Sequence, residues 1–276
     1  MIDNVCKFLA ESFSEDYATW LLGRPVKLTK LSPTELSLEP IRADSLILEQ
    51  SEDLVLHLEF QTEPDKTMAF RMLDYRVRVY RRFPTKTMYQ FVIYLKPTNS
   101  TLVYQDSFQV GETLHRYRVI RLWEQSSDLF LKSQGLLPLA ILTQTSDPIL
   151  KLRQVAAVLE TISDNQVKAN LMTASSVFGG LILKPELIKT ILRSGIMKES
   201  AIYQEILQEG EQRGLLRGKL EGKLEGKLEG KLEGKLEGKL ETVPLLKKLG
   251  LSVAEIAKEL DIDIALVNQL VANHNN

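Results

Sequence analysis

The sequence predicts an α/β protein: a mixed central sheet flanked by helices, followed by a helical C-terminal extension. Three patterns carry this. Residues 44 to 49 and 54 to 61 are two apolar runs joined by the polar turn Ser51-Glu52-Asp53, which reads as an antiparallel hairpin. Residues 65 to 82 then switch to helical spacing through Met68, Met72, Tyr75 and Val79, and Pro84 ends the helix. A second rich strand, Met88 to Leu95, follows, so helix and sheet alternate as they do in layered α/β folds.

The remaining elements follow the same logic. Residues 3 to 23 place Val5, Phe8, Leu9, Phe13, Tyr17, Trp20 and Leu21 at spacings of three and four, which predicts one amphipathic helix stopped by Gly23. Weak alternation over 26 to 38 predicts short strands or a hairpin. Residues 101 to 105 and 115 to 122 predict further strands. From 126 to about 208 the spacing is helical, as in Leu152, Val155, Val158 and Leu159, with Gly179-Gly180 and Pro185 as punctuation.

Composition narrows the function classes. The 276 residues carry 35 basic and 36 acidic side chains, a net charge of −1, so any polyanion-binding surface must be local. One cysteine, Cys6, rules out an intrachain disulfide and a Cys-rich zinc site. The three histidines, His57, His115 and His274, are scattered. The N-terminus does not read as a signal peptide, and Leu136 to Leu142 is far too short to span a bilayer, which predicts a cytoplasmic protein with no membrane partner.

The predicted hairpin carries chemistry. Asp44 opens its first strand; Glu59 and Gln61 lie two apart on the second and therefore share a face. A carboxylate buried in a sheet needs a partner, and a divalent metal is one. Asp44 and Glu59 are the candidate oxygen ligands of Mg2+ or Mn2+. Gln61 stands where many metal-dependent nucleases carry a lysine. Its amide can hydrogen-bond an attacking water but brings no positive charge, so stabilisation would lean on the metal or on Arg71. His57 faces the same side, as a partly buried neighbour or as a ligand of metal or water.

The longer string Val55-Leu-His-Leu-Glu-Phe-Gln-Thr-Glu-Pro-Asp65, with Met68-Ala-Phe-Arg-Met-Leu-Asp-Tyr75, resembles the transposase-related nucleases called YhgA-like or Rpn, within the PD-(D/E)XK nuclease superfamily. Glu59, Gln61, Thr62, Asp65, Met68, Phe70, Arg71 and Tyr75 match, and Asp44 matches the upstream aspartate. The resemblance covers about residues 1 to 125. It implies a restriction-endonuclease-like fold, Mg2+-dependent DNA cleavage, and catalytic roles for Asp44, Glu59 and Gln61. It also implies that Glu11 or Glu15 of the first helix could add an acid. The helical extension with its charged tail is similar to cyanobacterial members of the group. A copy that keeps the fold as a DNA-binding scaffold, with little or no activity, is the alternative.

Residues 66 to 86 hold seven basic side chains and one acid, Asp74. Arg71, Arg76, Arg78, Arg81 and Arg82 are the candidate DNA contacts of this helix; a solvated helix face is the competing reading, and for Arg71, as part of the matched string, pairing with a site carboxylate or capping the sheet. The chain divides by pattern into a nuclease-like core (1–125), a helical extension (126–210), a repeat segment (211–241) and a small helical tail (242–276).

The repeat is Gly-Lys-Leu-Glu, six times, over 218 to 241. Each leucine is offset by about 40° from the last around a helix. Lys and Glu are two or six apart, so helical i,i+4 ion pairs are absent and like charges stack. Each glycine costs roughly 1 kcal/mol in a helix. A linker expanded by slippage is the expected reading, with a self-association helix and homo-oligomer as the other. Beyond it, Ser252 and Glu255 fit a capping box, and two short helices around Asp261-Ile-Asp263 suggest a helix-turn-helix. Its second helix has no Lys or Arg, so a protein-contact module fits as well as a DNA reader.

Overall fold

The computed structural model describes residues 2–31, 46–192 and 200–273. The chain divides into two units, Met1–Leu207 and Gln208–Asn276. Asp44 lies outside the described residues, as does most of the segment 26 to 38 expected to form short strands.

The first unit is α/β. Helices α1 (Ile2–Ser12) and α2 (Ser14–Leu22) precede strands β1 (Thr29–Lys30), β2 (Leu46–Gln50) and β3 (Leu54–Gln61). Helix α3 (Met68–Arg82) leads to β4 (Thr87–Tyr94). Strands β5 (Ser107–Val110) and β6 (Thr113–Arg116) form a separate antiparallel pair before β7 (Arg118–Arg121). The main sheet runs β1-β2-β3-β4-β7. β2 pairs antiparallel with β3, whereas β4 lies parallel to both β3 and β7. A polar turn closes the hairpin and helix α3 makes the crossover, as parallel pairing requires.

β3 is buried along nearly its whole length because it is covered on both faces. Leu54, Leu56, Leu58 and Phe60 point to a large core with Val5, Leu9 and Tyr17 of α1 and α2. Val55 points the other way, toward Tyr75 and Val79 of α3. His57, Glu59 and Gln61 share that second face by alternation.

Three expectations are corrected. The first helix is two: Phe13 leaves helical geometry (φ −126°, ψ 42°), and Gly23 with φ 73° then ends α2 through a bond to the Thr19 carbonyl. The break fits tertiary contact. Gly135 approaches Phe13 so closely that a Cβ there would collide with the ring base, and its N–H donates to Asp16 at 2.6 Å. Residues 101 to 105 form not a strand but a 3-10 turn (Thr101–Tyr104), which Ser100 caps. The predicted strand 115 to 122 is split at Tyr117, with His115 in the small sheet and Arg118 onward in the main one. The repeat, expected as linker or helix, is continuous helix.

The segment after residue 125 shares the core of the segment before it. Helix α4 (Asp128–Lys132), the 3-10 segment Leu137–Leu142, and helices α5 (Pro148–Glu160), α6 (Asn165–Gly179) and α7 (Pro185–Ile191) follow. Asp147 and Asp164 cap α5 and α6, each accepting backbone N–H groups at 2.9 Å. Leu137, Leu139, Leu152, Val155, Leu171 and Phe178 belong to the same core as Leu56 and Leu58.

Helix α8 (Ala201–Lys248) contains the repeat and runs from the first unit into the second. In the second unit its C-terminal end supplies Val243 to a small core with Ile256, Ala257 and Val267. The last three residues belong to helices α9 (Val253–Leu260) and α10 (Ile264–Asn273). Ser252 and Glu255 make the full capping box on α9. No helix among the described residues is long and apolar enough to cross a membrane.

Candidate active site

Glu59 sits at the centre of the sheet with no solvent exposure. A bare carboxylate there would be prohibitively costly. Arg71, one turn into α3, reaches down and donates from Nη2 to Glu59 Oε2 at 2.7 Å. From Nη1 it reaches Asp65 Oδ2 at 3.2 Å. Two carboxylates therefore hold one guanidinium. Asp65 is fixed in turn by Thr67, whose N–H and hydroxyl both donate to Oδ1 at 2.8 Å. This turn directly precedes α3, so the loop that starts the helix also aims the arginine.

His57 completes the enclosure. Its Nε2 lies 3.4 Å from Glu59 Oε1, and its Nδ1 lies 3.0 Å from the Gln90 amide nitrogen. That same amide donates to the Met72 carbonyl at 2.7 Å. A carboxylate only accepts and the amide nitrogen only donates, so the network assigns the histidine proton to Nε2. Tyr75 of α3 packs edge-on to the imidazole at 5.0 Å. The parallel register sets His57 opposite Gln90 and Gln61 opposite Tyr94.

The electrostatics follow from these contacts. Burial alone would raise the Glu59 pKa; the His57 hydrogen bond and the attraction of His57 and Arg71 outweigh it, and the carboxyl is held below its usual value. The Thr67 backbone hydrogen bond leads in lowering Asp65. Burial, with Glu59 next in importance, pushes the Tyr75 phenol up to about 12.

Of the residues expected from sequence, Glu59 and Gln61 share the α3 face of β3, and Gln61 stands half-buried where the strand ends. Arg71 is an ion-pair partner of the acid, as one reading of the matched string expected. Arg78 is likewise engaged, donating to Asp74 at 2.9 Å. Lys86 is spent on Gln50 and the Ser51 carbonyl. Arg76 is partly buried, and burial lowers its pKa. Arg81 and Arg82 remain exposed at the end of α3. Glu11 pairs with Lys30 at 3.0 Å on the α1 side of the sheet, away from Glu59.

Gln90 is the site residue that sequence reasoning missed. Its signal was a single amide inside the otherwise apolar run Met88 to Leu95. The donor set suits a hard cation in kind, with two carboxylates converging on one positive charge. In number it is short: among the described residues, no group of three or more His, Cys, Asp or Glu side chains could hold a metal ion. No protein-family model, curated protein or solved structure matches the chain.

Proposed function

We propose that this protein is a metal-dependent DNA endonuclease of the transposase-related type, with Glu59 as its central acid. The observation that carries this reading is the convergence of Glu59 and Asp65 on a single cation, Arg71, beside Gln61 on the same strand face. The element order supports it as well. A hairpin ending in Glu59-Phe60-Gln61, a crossover helix and a parallel strand are what the family resemblance implies.

In this reading Asp44 and Glu59 would hold Mg2+ or Mn2+, which when bound supplies positive charge at the phosphate and lowers the pKa of water. Gln61 would orient the attacking water through its amide. Arg71 leaves Glu59 for the phosphate, supplying the positive charge that Gln61 lacks. Arg81 and Arg82 attract the backbone without reading sequence.

The test is plasmid nicking in Mg2+ and in Mn2+ by wild type and by Glu59→Gln, which keeps the side-chain shape. Loss of about 100-fold in rate with an unchanged circular dichroism spectrum is expected. Equal nicking by the two proteins would sink the assignment.

The Arg71–Glu59–His57 contacts favour a second reading, a non-catalytic scaffold that retains the fold. A buried acid already neutralised by a guanidinium has no need of a metal. Calorimetric titration separates the two, since the scaffold binds DNA while taking up no Mg2+ or Mn2+ at millimolar concentration.

A further inference from the structure

Helix α8 carries side-chain stripes that its own chain leaves unmatched. Leu220, Leu224, Leu228 and Leu232 are each about 60% exposed, an apolar ridge running through the repeat. Every glycine from Gly210 to Gly238 faces open space. Glu221 pairs with Arg217, and Lys239 reaches Asp261. Among the described residues, no ion pair joins a repeat lysine to a repeat glutamate. A solitary helix of this composition is disfavoured by its glycines and by like charges at i+4.

The helical wheel shows what would satisfy it. With Leu as reference, Lys lies about 100° to one side and Glu about 100° to the other. The apolar ridge is thus flanked by a basic edge and an acidic edge, as e and g positions flank a coiled-coil seam. Pack two copies Leu against Leu with the chains running the same way, and the two-fold axis sets each lysine edge against the partner's glutamate edge. Reverse one chain, and lysine faces lysine while glutamate faces glutamate. The charge pattern is self-complementary only in the parallel arrangement.

The period of four sets the geometry. Heptads wind left-handed; a repeat longer than 3.6 residues winds the other way. Ridges at i±4 interdigitate at a crossing angle of about −50°. Two straight helices then touch over only two or three repeats, near Leu224, Leu228 and Leu232.

We propose that the repeat of α8 is a homodimerisation element whose occupant is the same helix of a second copy, crossing in parallel, with the lysine and glutamate edges fixing the direction. It rests on the repeat alone and stands whether or not the chain cuts DNA.

The test is sedimentation velocity on the full chain across a hundredfold concentration range. Wild type is expected to reach twice the chain mass. Leu224→Gln/Leu228→Gln/Leu232→Gln, which keeps good helix formers, is expected to stay at one chain mass with unchanged helicity. A wild type that stays at one chain mass, or a dimer that survives the glutamines, overturns the proposal. Direction is read from charge swaps. Lys223→Glu/Lys227→Glu/Lys231→Glu and Glu225→Lys/Glu229→Lys/Glu233→Lys should each be monomeric alone and form a mixed dimer together. Self-association of either swap as tight as wild type would overturn the parallel pairing.

Discussion

Two glutamates of neighbouring strands have the same burial and opposite fates. Glu59 of β3 and Glu49 of β2 are 0% and 1% exposed. Glu59 faces α3, where Arg71 and His57 take its oxygens, and its pKa is lowered. Glu49 faces α1 and α2, where its neighbours are Glu11 and the Tyr17 phenol. Burial, aided by Glu11, pushes Glu49 up to about 8, and among the described residues its Oε2 has no hydrogen-bond partner. Burial sets the size of the problem for both; the sign of the answer comes from whether a cation can reach. An arginine one turn into a helix can reach the sheet below it. On the other face Lys30, the cross-strand partner of Glu49, is held by Glu11.

The comparison is broken most severely by Arg71→Ala. It takes the guanidinium from Glu59 and leaves the His57 contact, and a loss of about 3–5 kcal/mol in urea unfolding is expected. The Glu59 pKa should then rise from its lowered position, readable as a shift of the acid limb of the stability profile.

Glu49→Gln works from the other side. A group whose folded pKa is raised stabilises fully below its unfolded value of 4.5 and loses that contribution as pH climbs toward 8. Wild type should therefore lose up to about 1.4 kcal/mol of stability per pH unit across that window relative to the variant. The two should melt together at pH 4.5 and diverge above it; parallel profiles would remove Glu49 from the comparison.

Gln90→Leu removes a donor to both His57 and the Met72 carbonyl, at a cost of about 1–2 kcal/mol. It should also free the imidazole to turn, visible in the His57 ring resonances. The smallest effect on stability is expected from Arg81→Gln/Arg82→Gln, within about 0.5 kcal/mol, because both are exposed and serve neither carboxylate. If the chain binds DNA as proposed, that same variant should flatten the salt dependence of binding by about 1–2 in log–log slope.

Local signals were legible wherever one short segment decides its own state. The polar turn at 51–53, the helical spacing from Met68 and the Ser252–Glu255 capping box all gave the elements that form. Failures came where a distant contact decides. Phe13 breaks the first helix beside Gly135, and Tyr117 divides one expected strand between two sheets. The carboxylate pair shows the same limit. Glu59 stands out in the sequence because Gln61 accompanies it, whereas no neighbouring residue singles out Glu49.

The sequence by itself determined which residues face together along each strand and helix, because periods of 2 and 3.6 need no long-range information. Hence Glu59 and Gln61 on one face were fixed by spacing alone, whereas leucine between lysine and glutamate follows once the repeat is helical. Only the tertiary structure decided that Arg71 and Asp65 close over Glu59, that Gln90 sits opposite His57, and that among the described residues no cation pairs with Glu49. Those facts depend on which helix covers which face, and a layered sheet offers two faces that the strand sequence does not tell apart.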